Sequence, residues 1–275
     1  MAQTSWDPDQ YLQFERERAR AFHDLVSQVA DLRPATVVDL GCGPGHLTAT
    51  LSDRWPAAFV TGVDSSDDMI ETAHKLGRPG RLEFTRGAIE DWRPSAPVDL
   101  VVSNAALQWV PSHVDLLPVW LRDFVNPGGA LAFQVPGSGG SAATVAIRTV
   151  AASPQWAPRL GPVAVRRGPR SGSSPVLTPD AYVDVLARLG YEVDAWETTY
   201  LHVLQGGDPV LEWFAGTGLR PYLDTLADDA DAVERFRQDV AAALREAYPP
   251  EPYGTVLPFR RIFVVARRGD RMSSP

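Results

Sequence analysis

The sequence predicts an α/β fold with a mostly parallel, seven-stranded, doubly wound sheet. Short apolar segments, typical of strands covered on both faces, recur along the first half of the chain and alternate with segments of helical spacing. In the second half, a long stretch of helical spacing separates the last two predicted strands. We interpret this stretch as an α-helical insertion or cap on the sheet.

Each element follows from its own local pattern. Apolar residues at helical spacing predict an N-terminal amphipathic helix over 9–31, ending before Pro34. Apolar or alternating segments predict strands at 35–40, 58–63, 81–85, 98–103, 130–135, 191–204 and 255–268. Helical spacing predicts helices at 45–54, 67–76, 113–125, 142–152 and 179–189, and an α-helical insertion over 208–248.

Turn and cap signals complete this outline. Asn126–Gly129 (NPGG) predicts a turn that ends the helix at 113–125. Thr178 is the predicted N-cap of the helix that starts at Pro179, and Gly190 ends that helix. The remainder of 136–178 is rich in Pro, Gly, Arg and Ser and predicts a loop region that forms a lid.

Composition limits the partners and the compartment. A formal net charge of −8 opposes binding to nucleic acid or to an anionic membrane, so we expect a small-molecule substrate. The lone Cys42 excludes an internal disulfide and a Cys-rich metal site, and the histidines lack metal-ligand spacing, so we expect no metal and a cytoplasmic location. We also expect no membrane span, because no apolar run reaches about 18 residues.

The stretch VVDLGCGPG at 37–45 is the most informative motif. A predicted strand runs directly into closely spaced glycines and then a helix, which lets backbone N–H groups approach a ligand. Gly41, Gly43 and Gly45 are evenly spaced, which departs from the G-x-G-x-x-G dinucleotide fingerprint and argues against NAD and FAD. Asp64 ends the second strand, where a carboxylate accepts hydrogen bonds from ribose hydroxyls. Asp64 as a helix cap is the alternative, but Ser65, Ser66 and Asp67 offer caps of their own.

These residues resemble class I methyltransferases, which have a Rossmann-like fold and use S-adenosylmethionine. The whole chain resembles the trans-aconitate 2-methyltransferase family. The resemblance rests on segments that occur in the same order: WDPDQYLQF, VVDLGCGPGHLT, RWPAAFVTGVDSSDDMI, NAALQWVP, TTYLH, TGLRPYL and FRRIFVVARR. It implies methyl transfer from S-adenosylmethionine to a carboxylate of trans-aconitate, giving the monomethyl ester and S-adenosylhomocysteine.

The resemblance also implies cofactor contacts. The amino-acid part of the cofactor is assigned to Asp39, Gly41, Gly43 and Gly45, the ribose to Asp64 and Ser65, and the adenine to Met69 and Ile89. Ala88 stands where the family pattern commonly has an Asp that receives the adenine amino group, so Glu90 or a backbone carbonyl is the expected substitute. Asn104 opens the methyl-transfer site. The N-terminal cover is assigned to Trp6, Tyr11 and Arg18, although an ordinary amphipathic helix also explains Tyr11.

The substrate contacts follow from carboxylate chemistry within the family blocks. Arg220 and Arg261 are expected to bind the spectator carboxylates, because a guanidinium holds a carboxylate bidentately. Strand alternation sends the adjacent Arg260 to the opposite face. Tyr200 and His202 are expected to donate hydrogen bonds. Trp109 is expected either on the substrate or in the core.

No general base is expected, because a carboxylate is already ionised at neutral pH. The whole chain, 1–275, is predicted to be one methyltransferase domain. Within it, 1–135 forms the cofactor-binding half with its cover helix, 136–254 the substrate-side lid and insertion, and 255–268 the final strand. Two alternatives stay open: a methyltransferase of the same fold acting on another small acid, a hydroxyl or an amine, and a non-catalytic S-adenosylmethionine-binding regulator.

Overall fold

A computed structural model describes residues 15–166 and 176–269 of the chain. The seven strands are β1 Thr36–Leu40, β2 Phe59–Asp64, β3 Leu82–Arg86, β4 Val98–Asn104, β5 Val125–Pro136, β6 Glu192–Leu204 and β7 Thr255–Arg267. The α-helices in these ranges are α1 Glu15–Ser27, α2 His46–Arg54, α3 Asp67–His74, α4 His113–Val119, α5 Ala142–Ala151, α6 Ala157–Arg166, α7 Pro179–Ala187, α8 Pro209–Ala215, α9 Arg220–Thr225 and α10 Ala230–Ala247. The predicted α/β fold is confirmed.

All seven strands form one sheet in the order β3-β2-β1-β4-β5-β7-β6. Strands β1 to β5 pair in parallel, whereas β7 runs antiparallel to β5, from Ala130 opposite Arg267 to Pro136 opposite Arg261. The central strands β1 and β4 bury nearly every side chain, as expected for strands covered on both faces. The sheet order reverses at β1, which lies between β2 and β4, so a crevice is expected at the carboxyl ends of these three strands.

Two local predictions were wrong. Asn126–Gly129 is not a turn between a helix and a strand but belongs to β5, because Gly128 and Gly129 exchange backbone hydrogen bonds with Arg268. The preceding helix, predicted over 113–125, is confirmed as α4 followed directly by a π-helical segment over Trp120–Phe124. The predicted loop after 152 contains α6, whose interior Pro162 hid its helical pattern. Thr178 does occupy the N-cap of α7, but its side chain makes no cap hydrogen bond.

The chain divides into two compact units. The sheet unit contains the described residues 15–136, 176–198 and 261–269, and the helical unit contains 137–166 and 199–260. Within the helical unit, α10 packs on α5 and α8, while α6 packs on α5 and α9. The single-domain organisation stays a prediction. No helix in the described ranges is both long and apolar enough to cross a bilayer.

Candidate active site

The glycine loop between β1 and α2 combines close packing with open space. Gly41, Gly43 and Gly45 all have positive φ, at 79°, 55° and 83°, a backbone conformation that favours glycine. A Cβ on Gly41 would lie 2.2 Å from the Cβ of Ala106, and one on Gly45 would lie 2.7 Å from the ring of Phe84. A Cβ on Gly43 would meet no described atom within 4 Å. Gly41 and Gly45 therefore hold the loop against the rest of the protein, whereas Gly43 faces open space.

Asp39 presents a buried carboxylate with one oxygen unused. Its Oδ2 accepts a hydrogen bond of 2.6 Å from Oγ1 of Thr48, whereas its Oδ1 is buried and has no hydrogen-bond partner among the described residues. Burial raises the pKa of this carboxyl to about 7, and the nearby carboxylate of Asp64 adds to the effect. A buried carboxylate that lacks a donor is a site for a cationic group.

Asp64 joins the ends of β1 and β2. Its Oδ2 accepts from the backbone N–H of Gly43 and its Oδ1 from that of Ser66, both at 2.9 Å. The N-cap of α3 is Ser66, whose hydroxyl accepts from the N–H of Met69, so Asp64 is not the cap of this helix. The backbone N–H of Ser65 also interacts with this carboxylate, which has about four lone-pair positions, so at least one position remains. Burial raises the pKa of Asp64, although backbone hydrogen bonds oppose the change.

The residues assigned to adenine and ribose differ in their burial. Met69 and Ile89 are buried, and the Cδ1 of Ile89 lies 3.4 Å from where a Cβ on Gly41 would stand. Ser65 is exposed, Ala88 is half-buried and its carbonyl accepts from Asp91, and Glu90 is exposed. The Ala88 carbonyl is thus already engaged within the loop, and the acceptor for an adenine amino group stays a prediction.

Three polar side chains are connected across β4, β5 and β7. Arg261, only 5% exposed, donates from Nη1 to Oε1 of Gln134 at 3.3 Å. Gln134 is fully buried and donates from Nε2 to Oδ1 of Asn104 at 2.5 Å. We call these three residues the amide relay. The surface alternative for Arg261 is therefore wrong, and the relay links it to Asn104 at the carboxyl end of β4.

The loop after Asn104 carries Trp109. Ala105 adopts φ 54°, an uncommon conformation for a residue with a Cβ, and its N–H donates to the backbone oxygen of Gln134. Leu107–Trp109 then form a 3-10 turn in which Leu107 is buried and Trp109 is 37% exposed. Trp109 is therefore not a core residue, so the core alternative was wrong.

The remaining substrate candidates lie in the helical unit. Tyr200 and His202 lie on the buried side of β6, where the His202 ring stacks on Trp213 with centroids 4.9 Å apart. Arg220 is the first residue of α9, and its Nε donates to the carboxylate of Asp224 at 2.9 Å. The Arg220 side chain is 28% exposed, so it is an ion-paired, half-buried residue.

The structure brings the main residues assigned to the cofactor together in the sheet unit, and their roles stay predictions. Asp39, the three loop glycines and Asp64 meet at the ends of β1 and β2. Tyr11 and Trp6 lie outside the described residues, and for Arg18 only the backbone, in α1, is described. Within the described ranges, no group of three or more His, Cys, Asp or Glu residues is arranged to hold a metal ion.

Sequence reasoning missed two residues of this region. Thr48 holds Asp39, and Gln134 connects Arg261 with Asn104. A signal existed for Gln134, because it is the one polar residue in the apolar strand ALAFQV. Thr48 gave no signal, because a threonine on a helix is usual.

Comparisons with known proteins agree with this architecture. The family described as "Methyltransferase domain" matches residues 37–129. A trans-aconitate 2-methyltransferase from Streptomyces avermitilis is 49% identical over 96% of this chain and 97% of the relative. The corresponding protein from Streptomyces coelicolor is 46% identical over 97% and 88%. The chain belongs to the trans-aconitate 2-methyltransferase family. It is therefore a methyltransferase.

A solved structure supports the family's fold. A protein described as a putative methyltransferase from Bacillus halodurans superposes with a TM-score of 0.54 at 15% identity, covering 90% of this chain and 99% of that one. At this identity the similarity concerns the fold alone. It agrees with the doubly wound sheet on which this trans-aconitate 2-methyltransferase family member places its site residues.

Proposed function

We propose that this protein transfers the methyl group of S-adenosylmethionine to a carboxylate of trans-aconitate, giving the monomethyl ester and S-adenosylhomocysteine. The observation that carries the proposal is the 46–49% identity to trans-aconitate 2-methyltransferases over nearly the whole chain. An acidic chain with a net charge of −8 suits a small-molecule substrate better than nucleic acid or an anionic membrane. The lone Cys42 favours a cytoplasmic location.

The residues at the ends of β1 and β2 fit this cofactor. The Oδ1 of Asp39, which has no partner among the described residues, suits the ammonium of its amino-acid part, and the remaining acceptor capacity of Asp64 suits the ribose hydroxyls. The open space at Gly43 leaves room for the part of the cofactor that joins its amino-acid end to the ribose. Two carboxylates at one edge also favour a ligand that carries an ammonium and a sulfonium. When bound, the cofactor supplies an electrophilic methyl group.

We assign the substrate carboxylates chiefly to Arg261. It is a buried guanidinium at the same sheet edge as Asn104, where a desolvated ion pair is stronger than in water. Arg220, Tyr200, His202 and Trp109 are kept as further substrate residues on the family resemblance. Arg220 would have to exchange Asp224 for the substrate. The segment 136–178, which contains α5 and α6, is kept as a predicted lid.

The chemistry needs alignment and no proton transfer. An oxygen of the ionised carboxylate forms the new O–CH3 bond while the S–CH3 bond breaks, so an anion and a cation become two neutral groups. The attacking carboxylate is deprotonated at neutral pH, and no side chain has to act as a base. The protein contributes orientation and exclusion of water, which favours the dispersal of charge.

The test is product identification. Purified protein is incubated with S-adenosylmethionine and trans-aconitate, cis-aconitate, citrate or isocitrate, and the products are identified by mass spectrometry. A monomethyl ester formed fastest from trans-aconitate supports the proposal. Faster methylation of another acid, a hydroxyl or an amine would show that the proposed substrate is wrong. Cofactor binding without turnover on any acid would support a non-catalytic regulator instead.

A further inference from the structure

The direction of the amide relay is set by its first member. A guanidinium only donates hydrogen bonds, so Arg261 must meet the carbonyl oxygen of Gln134. The amide of Gln134 then turns its NH2 group toward Asn104, which must accept with Oδ1. The orientation of both carboxamides therefore follows from the chemistry of Arg261, although oxygen and nitrogen of an amide are otherwise hard to distinguish.

Asn104 is left with its donor groups unused. Its Oδ1 is occupied by Gln134, and among the described residues no group accepts from its Nδ2. Asn104 is half-buried and stands where β4 ends beside the glycine loop, since Ala106 contacts the Gly41 position. The backbone oxygen of Gln134 also binds the N–H of Ala105, whose positive φ follows directly on Asn104. Gln134 thus holds this strand end through both its side chain and its backbone.

We propose that Gln134 is a positioning residue that selects the class of methyl acceptor. By orienting Asn104, it presents N–H groups at the methyl-transfer site. A carboxylate oxygen only accepts hydrogen bonds, so the N–H groups of Asn104 stabilise it. An amine must keep its lone pair for the methyl group and therefore turns its own N–H groups toward Asn104, where donor meets donor. This inference rests on the proposed function, because it takes Asn104 and Arg261 as parts of that site.

Two substitutions at Gln134 distinguish the direction of the hydrogen bonds in the amide relay from the mere presence of the relay. Gln134→Glu is nearly isosteric but can only accept, so Asn104 must reverse and present its oxygen to the site. Gln134→Met keeps the length of the side chain and removes the relay altogether. Gln238→Met is the matched control, because Gln238 loses a side-chain hydrogen bond to Glu234 on the exposed face of α10.

The first test determines the direction of the hydrogen bonds in the amide relay and needs no substrate. Exchange of side-chain carboxamide protons is followed by NMR of 15N-labelled protein, and the signals are assigned from Gln134→Met and Asn104→Leu. In the unmodified protein we expect slow exchange at Gln134 Nε2 and fast exchange at Asn104 Nδ2, with Asn104 becoming protected in Gln134→Glu. Protection of Asn104 Nδ2 in the unmodified protein overturns the relay, and this outcome does not require Gln134→Glu to fold.

The second test measures the consequence for the reaction. Gln134→Met and Asn104→Leu are each expected to lower kcat/KM for trans-aconitate by about tenfold or more, and Gln134→Met is expected to leave the Kd for S-adenosylhomocysteine unchanged. The double variant is expected to be no worse than Asn104→Leu alone, because Gln134 acts through Asn104. Losses that multiply, or a loss equal to that of Gln238→Met, show that Gln134 is only a structural residue and overturn the proposal.

The two proposals fail in different ways. If the unmodified enzyme leaves trans-aconitate untouched but methylates another carboxylic acid, the proposed substrate is wrong and the same cycle is run with that acid. If it methylates an amine instead, the assignment of acceptor class is wrong whatever the exchange data show. If it methylates trans-aconitate but Asn104 Nδ2 is protected, the proposed function stands and the relay falls.

Discussion

The ends of β1 and β2 and helix α9 hold their charged groups in different ways. Asp39 and Asp64 are fixed by a threonine hydroxyl and by backbone N–H groups, and each keeps acceptor capacity for the proposed ligand. Arg220 on α9 is partly exposed and already paired with Asp224 one turn further along its helix. The first arrangement is organised before the ligand arrives, whereas the second must give up a partner. We therefore expect larger effects from changes at the strand ends.

The largest effect is expected for Asp64→Ala. The variant loses two hydrogen bonds to ribose hydroxyls, each worth about 1.5–3 kcal/mol for a charged acceptor, and it releases the loop at Gly43. Affinity for S-adenosylhomocysteine should therefore fall by at least about a hundredfold, as measured by calorimetry. Asp67→Ala, at the exposed start of α3, is the control. Unchanged affinity in a folded Asp64→Ala protein would show that the carboxylate only organises the loop.

Arg261→Lys should follow in size. Lysine keeps the charge but loses the bidentate fork, so we expect KM for trans-aconitate to rise by about tenfold or more while the cofactor Kd stays the same. Arg260→Lys, one position earlier on β7, is the matched control in steady-state kinetics. A normal KM in Arg261→Lys contradicts its role in holding the substrate.

Cofactor binding should depend on pH through Asp39. Burial raises the pKa of this carboxyl to about 7 in the free protein, and the ammonium of the bound ligand favours the ionised form and lowers it. Binding above pH 7 therefore finds the carboxylate ready, whereas below pH 7 it must release a proton, and Kd should rise by up to about tenfold per pH unit. Calorimetry in buffers of different ionisation enthalpy measures that proton, and Asp39→Asn should bind weakly without releasing it. Equal proton release in both proteins would assign the ionisation elsewhere.

Arg220→Lys should have a smaller effect. Arg220 is partly exposed, as its ion pair with Asp224 shows, so a pair with a substrate carboxylate at this position should also be worth at most about 1 kcal/mol. We therefore expect KM for trans-aconitate to rise by roughly two- to fivefold. Asp224→Ala sharpens the test, since it frees the guanidinium and should leave KM unchanged or lower it. If neither variant alters KM, Arg220 is a surface residue and Arg261 binds the substrate without it.

The smallest effect is expected for the dependence of kcat on pH. With both substrates saturating, kcat should change by less than about twofold between pH 6.5 and 9, because the acceptor is already ionised and the bound cofactor holds Asp39 in its charged form. Steady-state rates over this range provide the check. A single steep ionisation would indicate a general base, with His202 as the first candidate.

The sequence by itself determined the sheet and the residues at the ends of β1 and β2. Strand, glycine loop and helix are consecutive there, so the conformation of Gly41 to Gly45 and the position of Asp39 follow from local chemistry. Asp64 was predictable for the same reason, because it ends the next strand along the chain and Ser66 provides the cap. The periodic patterns also predicted α8 to α10, since helical spacing persists over that segment.

The tertiary structure alone decided the contacts between residues that are distant in sequence. Arg261, Gln134 and Asn104 come from β7, β5 and β4, and strand pairing, which no local pattern encodes, makes them neighbours. The same pairing places Asn126–Gly129 in β5 rather than in a turn, because Arg268 supplies the hydrogen bonds. The burial of Arg261 and the exposure of Trp109 are equally global properties, since each depends on what other segments of the chain cover.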